Sequence, residues 1–410
     1  MRILEVLTYY RPHISGLTIY VERLSKALVR MGNQVTVFTS QYDSTLPESE
    51  SRDGVSIVRV PVAFRVSKGV IMPRFGPMAW KMVSDVDVVH LHLPQFDAPG
   101  VAFRGRLMRK PVVLTYHSDL RLPKGSFNRV AEQVVGVMNR AAGSLSDAVV
   151  TYTYDFGTHS PYLSRYLDKK LHVIPPPVEL IPADDDKVGS FLTKYDLTGK
   201  RLIGISARIA AEKGIEVLLR ALPFILEKHP DAQVIHANPA ALGEESYLNK
   251  LEPFFEQYKA NYRLLGALSG DDLSAFYRVL DCLVICSINN TETFGLVQIE
   301  AMISGTPVVS SDLPGVRQPV VLTGMGEVTP VGDHVALADA IGRILENQYA
   351  YLRSSELIAE SFTSEATASA YMDLFRDLQS GAVARKTVEP AVYDNLRNMR
   401  DQHEASGTTL

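Results

Sequence analysis

Short β-branched runs alternate with segments of helical period along almost the whole chain, and the series breaks once, at Pro175, Pro176 and Pro177, before starting again. That alternation builds parallel sheets, because parallel neighbours need a crossover long enough to hold a helix. In the first half, strands are read in "RILEVLT", "QVTVFTS", "VSIVRVPV", "VDVVHLH", "PVVLTYH" and "DAVVTYT". Helices are expected over "GLTIYVERLSKALVRMG", about residues 98–109 and near residues 125–143. Three consecutive prolines in "LHVIPPPVEL" suit neither a helix interior nor a sheet ladder, so residues 175–199, Pro-rich and then acidic, read as a connection between domains. The second series has strands in "RLIGISA", "QVIHAN", "YRLLGAL", "CLVICS" and "PVVSS", each followed by a helical segment. A last helix is expected at about residues 363–380, and the polar tail ending "DQHEASGTTL" is expected to fray. At 410 residues the chain exceeds what one core usually serves, so two open α/β units are expected. Such sheets bind ligands beyond the carboxyl ends of their strands.

Composition narrows the partners. With 46% apolar and 21% charged residues the chain reads as globular, and its net charge of −4 gives no basis for binding driven by nucleic-acid phosphates. The two cysteines, Cys282 and Cys286, fall on one face of a single strand and read as buried thiols, neither a disulfide framework nor a zinc site. The start "MRILEVLTYY" reads as a strand without the features of a signal peptide, and no apolar run reaches the roughly 18 residues that span a bilayer. A cytoplasmic protein is expected, at most attached to the inner face of a membrane.

The chemistry concentrates in two strand-to-helix loops of the second half. In "SINNTETFGLVQIEAMISG", Glu292 lies at the carboxyl edge of the sheet and Gly295 opens the next helix. The amides of Gly295, Leu296 and Val297 form an anion site there. Glu300 sits one to two turns inside, its side chain leaning back toward the same end. An anion site flanked by two carboxylates that accept from hydroxyls describes a nucleotide sugar. An acidic residue at a helix start is also favoured by the dipole alone. In "SARIAAEKGIEVLL", however, Arg208 and Lys213 stand at the same edge, where a planar fork and a compact charge suit a diphosphate. In the first half His90 and His92 share a strand face; without an identifiable third ligand they read as cleft lining or core, and no metal site is expected.

These segments resemble glycosyltransferase family 4, the retaining nucleotide-sugar glycosyltransferases. "SARIAAEKG" is similar to the family's diphosphate loop, and "ETFGLVQIEAMISGTPVVSSDLPGVRQPV" to its E-x7-E segment; "GLTIYVERLSKALVRMGNQVTVFTS", "DVVHLH" and "TYHSD" match weaker patterns of the first half. The likeness runs over residues 2–375 in order. It implies the GT-B fold, two Rossmann-like open parallel-sheet domains facing a cleft. Residues 1–175 would bind acceptor, 176–362 the nucleotide sugar, and 363–410 would supply a C-terminal helix packing back on the first domain, plus a polar tail.

By this resemblance Arg208 and Lys213 neutralise the leaving diphosphate, and Glu292 with the amides beside Gly295 holds sugar and phosphate. Glu300 accepts from the ribose, the backbone around Leu268 meets the base, Gly16 faces the diphosphate, and His117 lies near the reacting carbon, a position shared with Asp119. The implied enzyme is a metal-independent, retaining hexosyltransferase with no cofactor beyond its co-substrate, a UDP-sugar first and GDP-mannose second. The chain departs from the family pattern in "NPAALGEESY" after strand "QVIHAN", where a Gly-rich turn is usual, and in "PPP" at the linker. From Arg59 to Arg129 there are 12 Lys or Arg against 4 Asp, among them Arg65, Lys68, Arg74, Arg104, Arg106, Arg109, Lys110, Arg121 and Lys124. With the apolar residues of "FRVSKGVIMPRFGPMAW" they suit an anionic membrane surface and a glycan or lipid-linked acceptor; a solvated basic face is the plain alternative. A nucleotide-sugar epimerase and a non-catalytic partner in a glycan assembly complex are the rival readings. A dinucleotide oxidoreductase lacks its G-x-G-x-x-G turn in "LTYYRPHISG".

Overall fold

The computed structural model describes residues 1–66, 69–119, 126–240, 244–381 and 389–405. The chain divides into two compact units. The first comprises Met1–Pro177 and Phe362–Pro390, the second Val178–Ser361 and Ala391–Leu410.

The first unit is built from β1 (Arg2–Val6), α1 (Gly16–Arg30), β2 (Gln34–Gln41), β3 (Ser49–Arg52), β4 (Val55–Pro61), the hairpin β5 (Phe64–Val66) and β6 (Gly69–Ile71), α2 (Phe75–Ser84), β7 (Val88–Leu93), α3 (Ala98–Leu107), β8 (Val112–Tyr116), α4 (Ser126–Leu145), β9 (Ala148–Thr151), α5 (Tyr154–His159) and β10 (Leu171–Val173). Eight strands form one sheet in the order β10-β9-β8-β7-β1-β2-β4-β3, parallel except for the edge strand β3. Strand β3, the exposed "SESR", carries no apolar alternation and was not expected; its pairing to β4 alone makes it a strand. In β7 all six residues are buried, as in a parallel sheet covered on both faces.

The second unit continues with α6 (Asp185–Lys194), inside the stretch expected to be a connection, β11 (Arg201–Ser206), α7 (Ile215–Lys228), β12 (Ala232–Ala237), α8 (Glu245–Gln257), β13 (Tyr262–Gly266), α9 (Gly270–Val279), β14 (Cys282–Ile285), α10 (Leu296–Ile303), β15 (Val308–Ser311), α11 (Gln318–Thr323), β16 (Gly326–Thr329), α12 (His334–Glu346) and α13 (Ser355–Ser361). Its sheet is fully parallel, in the order β13-β12-β11-β14-β15-β16. Helix α14 (Ser364–Ser380) belongs to the first unit, where Tyr371 and Phe375 are buried and α14 packs on α1. Residues 391–405, expected within a polar tail, instead form α15 (Ala391–Ala405), which packs on α11 and α13 with Tyr393 and Leu396 buried. Only two of its fifteen residues are buried, too narrow a stripe to read from sequence.

Each sheet reverses its strand order once. In the first unit the chain builds outward from β1 through β2 and β4, then returns to lay β7 on the other side of β1; in the second it builds from β11 through β12 and β13, then returns to lay β14 against β11. Adjacent loops diverge at such a switch point and leave a crevice beyond the carboxyl ends of the two strands. In the second unit Gly214 closes the floor of that region. Its φ is 66°, and a Cβ there would lie 2.0 Å from the carbonyl oxygen of Cys286. Gly214→Ala should therefore cost about 2–4 kcal/mol, left-handed strain and overlap combined. Thermal unfolding should show this as a fall in Tm of about 5 °C or more; an unchanged Tm would refute the contact.

Candidate active site

The loops singled out by sequence both open at the switch point of the second sheet, after β11 and after β14. They are tied together: the Ile288 amide donates to the Glu212 carbonyl at 3.0 Å, and the Cys286 thiol donates to the Lys213 carbonyl at 3.3 Å. Cys282 and Cys286 are free and buried, and burial pushes the Cys286 thiol up to about 12. It acts as a packed donor, not a nucleophile.

Lys213 Nζ donates to Glu292 Oε2, while Glu292 Oε1 accepts the Gly295 amide at 3.1 Å. By sequence the Gly295 amide counts among those open to an anion; it is instead taken by Glu292 Oε1. Lys213 and Glu292, 79 residues apart, meet because β11 and β14 are neighbours in the sheet. Gly295, with φ 72°, turns the chain into α10. The amides of Leu296 and Val297 make no hydrogen bond among the described residues. Burial raises the Glu292 carboxyl, but Lys213 and the amides of Gly295 and Thr293 outweigh it and hold it below the usual carboxylate range. The side chains of Lys213 and Glu292 remain 24% and 22% exposed, so a ligand can reach them. Arg208 is more exposed and bonds Glu212 at 3.1 Å.

Glu300, on the second turn of α10, is buried and accepts the Tyr277 hydroxyl at 2.8 Å. Sequence missed Tyr277, because within "DDLSAFYRVL" it reads only as part of an apolar helix face. Leu268 is buried, and its amide donates to Asn238 Oδ1 at 3.0 Å. Asn238 takes φ 60°, a left-handed turn that asparagine tolerates better than most residues. It thus makes the bend where a Gly-rich turn was missed; Ala241, Leu242 and Gly243 lie outside the described residues.

In the first unit Gly16 begins α1 behind the cap Ser15, whose hydroxyl accepts the Thr18 amide. His117 follows β8 and is buried, with Nε2 2.9 Å from His92 Nδ1 and Nδ1 bonded to the Tyr152 hydroxyl. Both ring nitrogens are thus engaged within the unit. Asp119 accepts from Tyr116 at 3.0 Å and Ser160 at 2.9 Å. His90 and His92 are core residues, but a third partner does exist: Glu5 Oε2 lies 2.8 Å from His90 Nδ1 and 2.6 Å from His92 Nε2. These three residues have the types of a metal site. Glu5 and His92 are directly hydrogen-bonded and His90 stands as near, whereas ligands of one zinc ion at about 2.0–2.1 Å would stand about 3.3 Å apart.

Residues 14–181 match the family described as Glycosyltransferase Family 4, and residues 193–360 the family described as Glycosyl transferases group 1. The chain belongs to glycosyltransferase family 4. This glycosyltransferase is 28% identical to an uncharacterized glycosyltransferase of Methanocaldococcus jannaschii, over 78% of this chain and 82% of the relative. It is also 28% identical to the phosphatidyl-myo-inositol mannosyltransferase of Mycobacterium leprae, over 85% and 88%. Among solved structures, sucrose-phosphate synthase from Thermosynechococcus elongatus superposes with a TM-score of 0.72 at 22% identity, covering 93% of this chain and all of that one. Anabaena HepE in complex with UDP gives 0.67 at 18%, covering 99% and 100%. Those neighbours share the GT-B fold.

Three cations of the basic segment of the glycosyltransferase are engaged within the first unit. Arg59 is buried against Glu50, Arg65 donates to the Tyr42 carbonyl, and Arg104 lies 5.1 Å over the ring of Trp80. Lys68, Arg121 and Lys124 lie outside the described residues. Of the apolar residues expected to enter a membrane, Val70, Met72, Phe75 and Ala79 belong to the core of the first unit. No helix among the described residues is long and apolar enough to cross a membrane.

Removing Lys213 leaves the Glu292 carboxylate half-buried without its cation. Lys213→Ala should lower stability by about 1–3 kcal/mol at pH 7. Glu292 is held below its ordinary value when folded, so the lost stabilisation is one present above the unfolded carboxyl pKa and absent once acid protonates the folded group. The deficit should shrink toward pH 4 and below. Urea unfolding of both proteins at pH 7 and pH 4 measures it; a deficit independent of pH would show that the pair carries no charge linkage.

Proposed function

We propose that this glycosyltransferase moves a hexose-type sugar from a nucleoside diphosphate sugar to a hydroxyl of a glycan or lipid-linked acceptor, with retention and without a metal. The observation that carries the reading is the joined unit of Lys213, Glu292 and the α10 start at Gly295, set at the switch point of the second sheet. A cation, a carboxylate and helix-start amides brought together from two neighbouring loops match a diphosphate bearing a hydroxylated sugar. On donor binding, Lys213 and Arg208 engage the diphosphate, and Glu292 turns from Lys213 toward the sugar hydroxyls. Glu300, steered by Tyr277, accepts from the ribose.

The bond between the anomeric carbon and the diphosphate oxygen breaks as the acceptor oxygen bonds the same face. The acceptor's proton passes to the departing diphosphate oxygen, so the protein need supply no base. Fixed positive charge on the leaving group then supplies the main stabilisation of the transition state. UDP-sugars are the first donors to try and GDP-mannose the second. HepE was solved with UDP, and the M. leprae relative is a mannosyltransferase by name.

A thermal-shift panel of UDP, GDP, ADP and their sugars, followed by turnover with the best donor, tests the reading. Stabilisation by none of them would overturn it, and donor conversion without acceptor would favour the epimerase. Glu292→Gln should reduce turnover by about 100-fold while changing nucleotide affinity less than about threefold. Glu300→Gln should weaken binding of the bare nucleotide by about tenfold. Equal, mild effects would return both glutamates to ordinary helix-end residues.

The acceptor is proposed to be presented at the inner face of the cell membrane, on the surface of α3 and α4. Phe103 and Leu107 on α3, and Val130, Val134 and Val137 on α4, are exposed at helical spacing; Arg106, Arg129 and Arg140 are exposed on the same two helices, and Arg109 is exposed just after α3. Apolar rows flanked by cations suit an anionic bilayer. The protein should sediment with phosphatidylglycerol vesicles at low salt, and Val130→Ser with Val134→Ser should reduce the bound fraction severalfold; no sedimentation of the wild type would remove the membrane from the proposal.

A further inference from the structure

The core of the first unit holds a branched chain of polar side chains that the transfer reaction has not used. Glu5 and His90 are register partners across β1 and β7, and His92 and Thr115 across β7 and β8. All four are completely buried, at the switch point of this sheet. One branch runs from Glu5 through His92 and His117 to Tyr152. The other starts at His90, whose Nδ1 lies 2.8 Å from Glu5 Oε2 without hydrogen-bond geometry, and runs through Thr115 at 2.8 Å, Tyr371 at 2.6 Å and Tyr20 at 2.7 Å. A parallel sheet rarely spends four central positions on polar groups, because burying them carries a large desolvation penalty.

The direction of the first branch follows from its base. Burial raises the Glu5 carboxyl, but His90 and His92 outweigh it and hold it down at about 2, so it is ionised. Burial, with His90 beside it, lowers His92 to about 4, and burial with His92 and His90 takes His117 well below its ordinary value. Both rings are therefore neutral, and each carries one N–H. An ionised carboxylate only accepts. Glu5 thus requires the hydrogen of His92 on Nε2, which leaves His92 Nδ1 as an acceptor. His117 must then carry its hydrogen on Nε2, its Nδ1 is an acceptor, and the Tyr152 hydroxyl donates to it.

We propose that Glu5 is a positioning residue that acts through His92 to fix His117 as the neutral Nε2–H tautomer at the carboxyl edge of the first sheet. The proposal rests on the reading that His117 stands near the reacting carbon. A transition state of oxocarbenium character is positive, and an imidazolium beside it would oppose it. A neutral ring held in one tautomer and one orientation presents a fixed dipole with no charge and nothing to reorganise. Neither nitrogen of His117 is spare for proton transfer, so its contribution is placement and polarity.

The test uses the full chain labelled with 15N in its histidine rings. Long-range 1H–15N spectra identify which nitrogen bears the hydrogen, and His117→Ala assigns the signal. The wild type should show His117 protonated on Nε2. In Glu5→Gln that pattern should shift toward Nδ1–H or a mixture, and kcat should fall by about tenfold or more with donor KM changed less than about threefold. Thr115→Val cuts only the other branch, and should lose stability while leaving the His117 pattern in place. A wild-type His117 protonated on Nδ1 overturns the proposal, and this holds even if Glu5→Gln fails to fold. So does an equimolar metal ion retained by Glu5, His90 and His92, because the ligating nitrogens would give up the hydrogens that set the direction. His117→Ala with full turnover defeats the reading beneath the proposal. An impaired His117→Ala combined with a Glu5→Gln enzyme of altered tautomer and normal kcat defeats the positioning role alone.

Discussion

Everything functional in this chain depends on one constraint: parallel strands joined by crossover helices carry all their strand-to-helix loops on one edge, and a reversal of strand order opens that edge at one place. In the second unit the reversal falls between β11 and β14, and it joins two loops that the sequence separates by 79 residues. The join is tight at the backbone level, with Gly214 directly against the Cys286 carbonyl. A side chain at that position would push apart the two loops that hold Lys213 and Glu292. The geometry of the ion pair is thus a consequence of strand order and one glycine, before any electrostatics is counted.

Much of the fold was legible because burial on both sheet faces writes continuous apolar runs into the sequence; "VDVVHLH" and "CLVICS" are strands by that signal. Strand β3 and α15 were not, because "SESR" is polar throughout and α15 has only Tyr393 and Leu396 to bury. The chemistry was legible in kind and illegible in pairing. Residue type and loop position marked Lys213, Glu292 and Gly295, but local spacing carries no information about which loop lies beside which. Tyr277 and Glu5 were missed for the same reason. Each looks ordinary within its own element, and its role lies in a partner brought to it by the sheet, Glu300 at 23 residues and His92 at 87.

The two buried carboxylates of the sheet edges are satisfied in opposite ways. Glu292 is held by a lysine and by helix-start amides, at a place where about a fifth of its side chain is open. A cation that can exchange its partner suits the donor role proposed for Lys213, in which a diphosphate would replace one negative group by another with little net desolvation. Glu5 is sealed, and its hydrogen-bond partner His92 is a buried ring held down to about 4, with no mobile counter-charge. A sealed carboxylate cannot trade partners, and so is suited to holding a hydrogen-bond direction.

That difference also bears on how the first unit keeps its helix α14. Tyr371 reaches from α14 to Thr115 and Tyr20, bonding at 2.6 and 2.7 Å, and Thr367 donates to the Pro175 carbonyl at 3.0 Å. A helix that begins at Ser364, 191 residues after β10 ends at Val173, could be anchored by apolar packing alone, as Phe375 provides. Hydrogen bonds into the Glu5 network add what packing lacks, a single register: a helix slid by one turn would leave Thr115, Tyr20 and Tyr371 unpaired in the core, and each buried orphan costs about 1–3 kcal/mol. The polar core therefore specifies where the chain must return, through the branch of Thr115, Tyr371 and Tyr20, which is separate from the one that runs through His92 to His117.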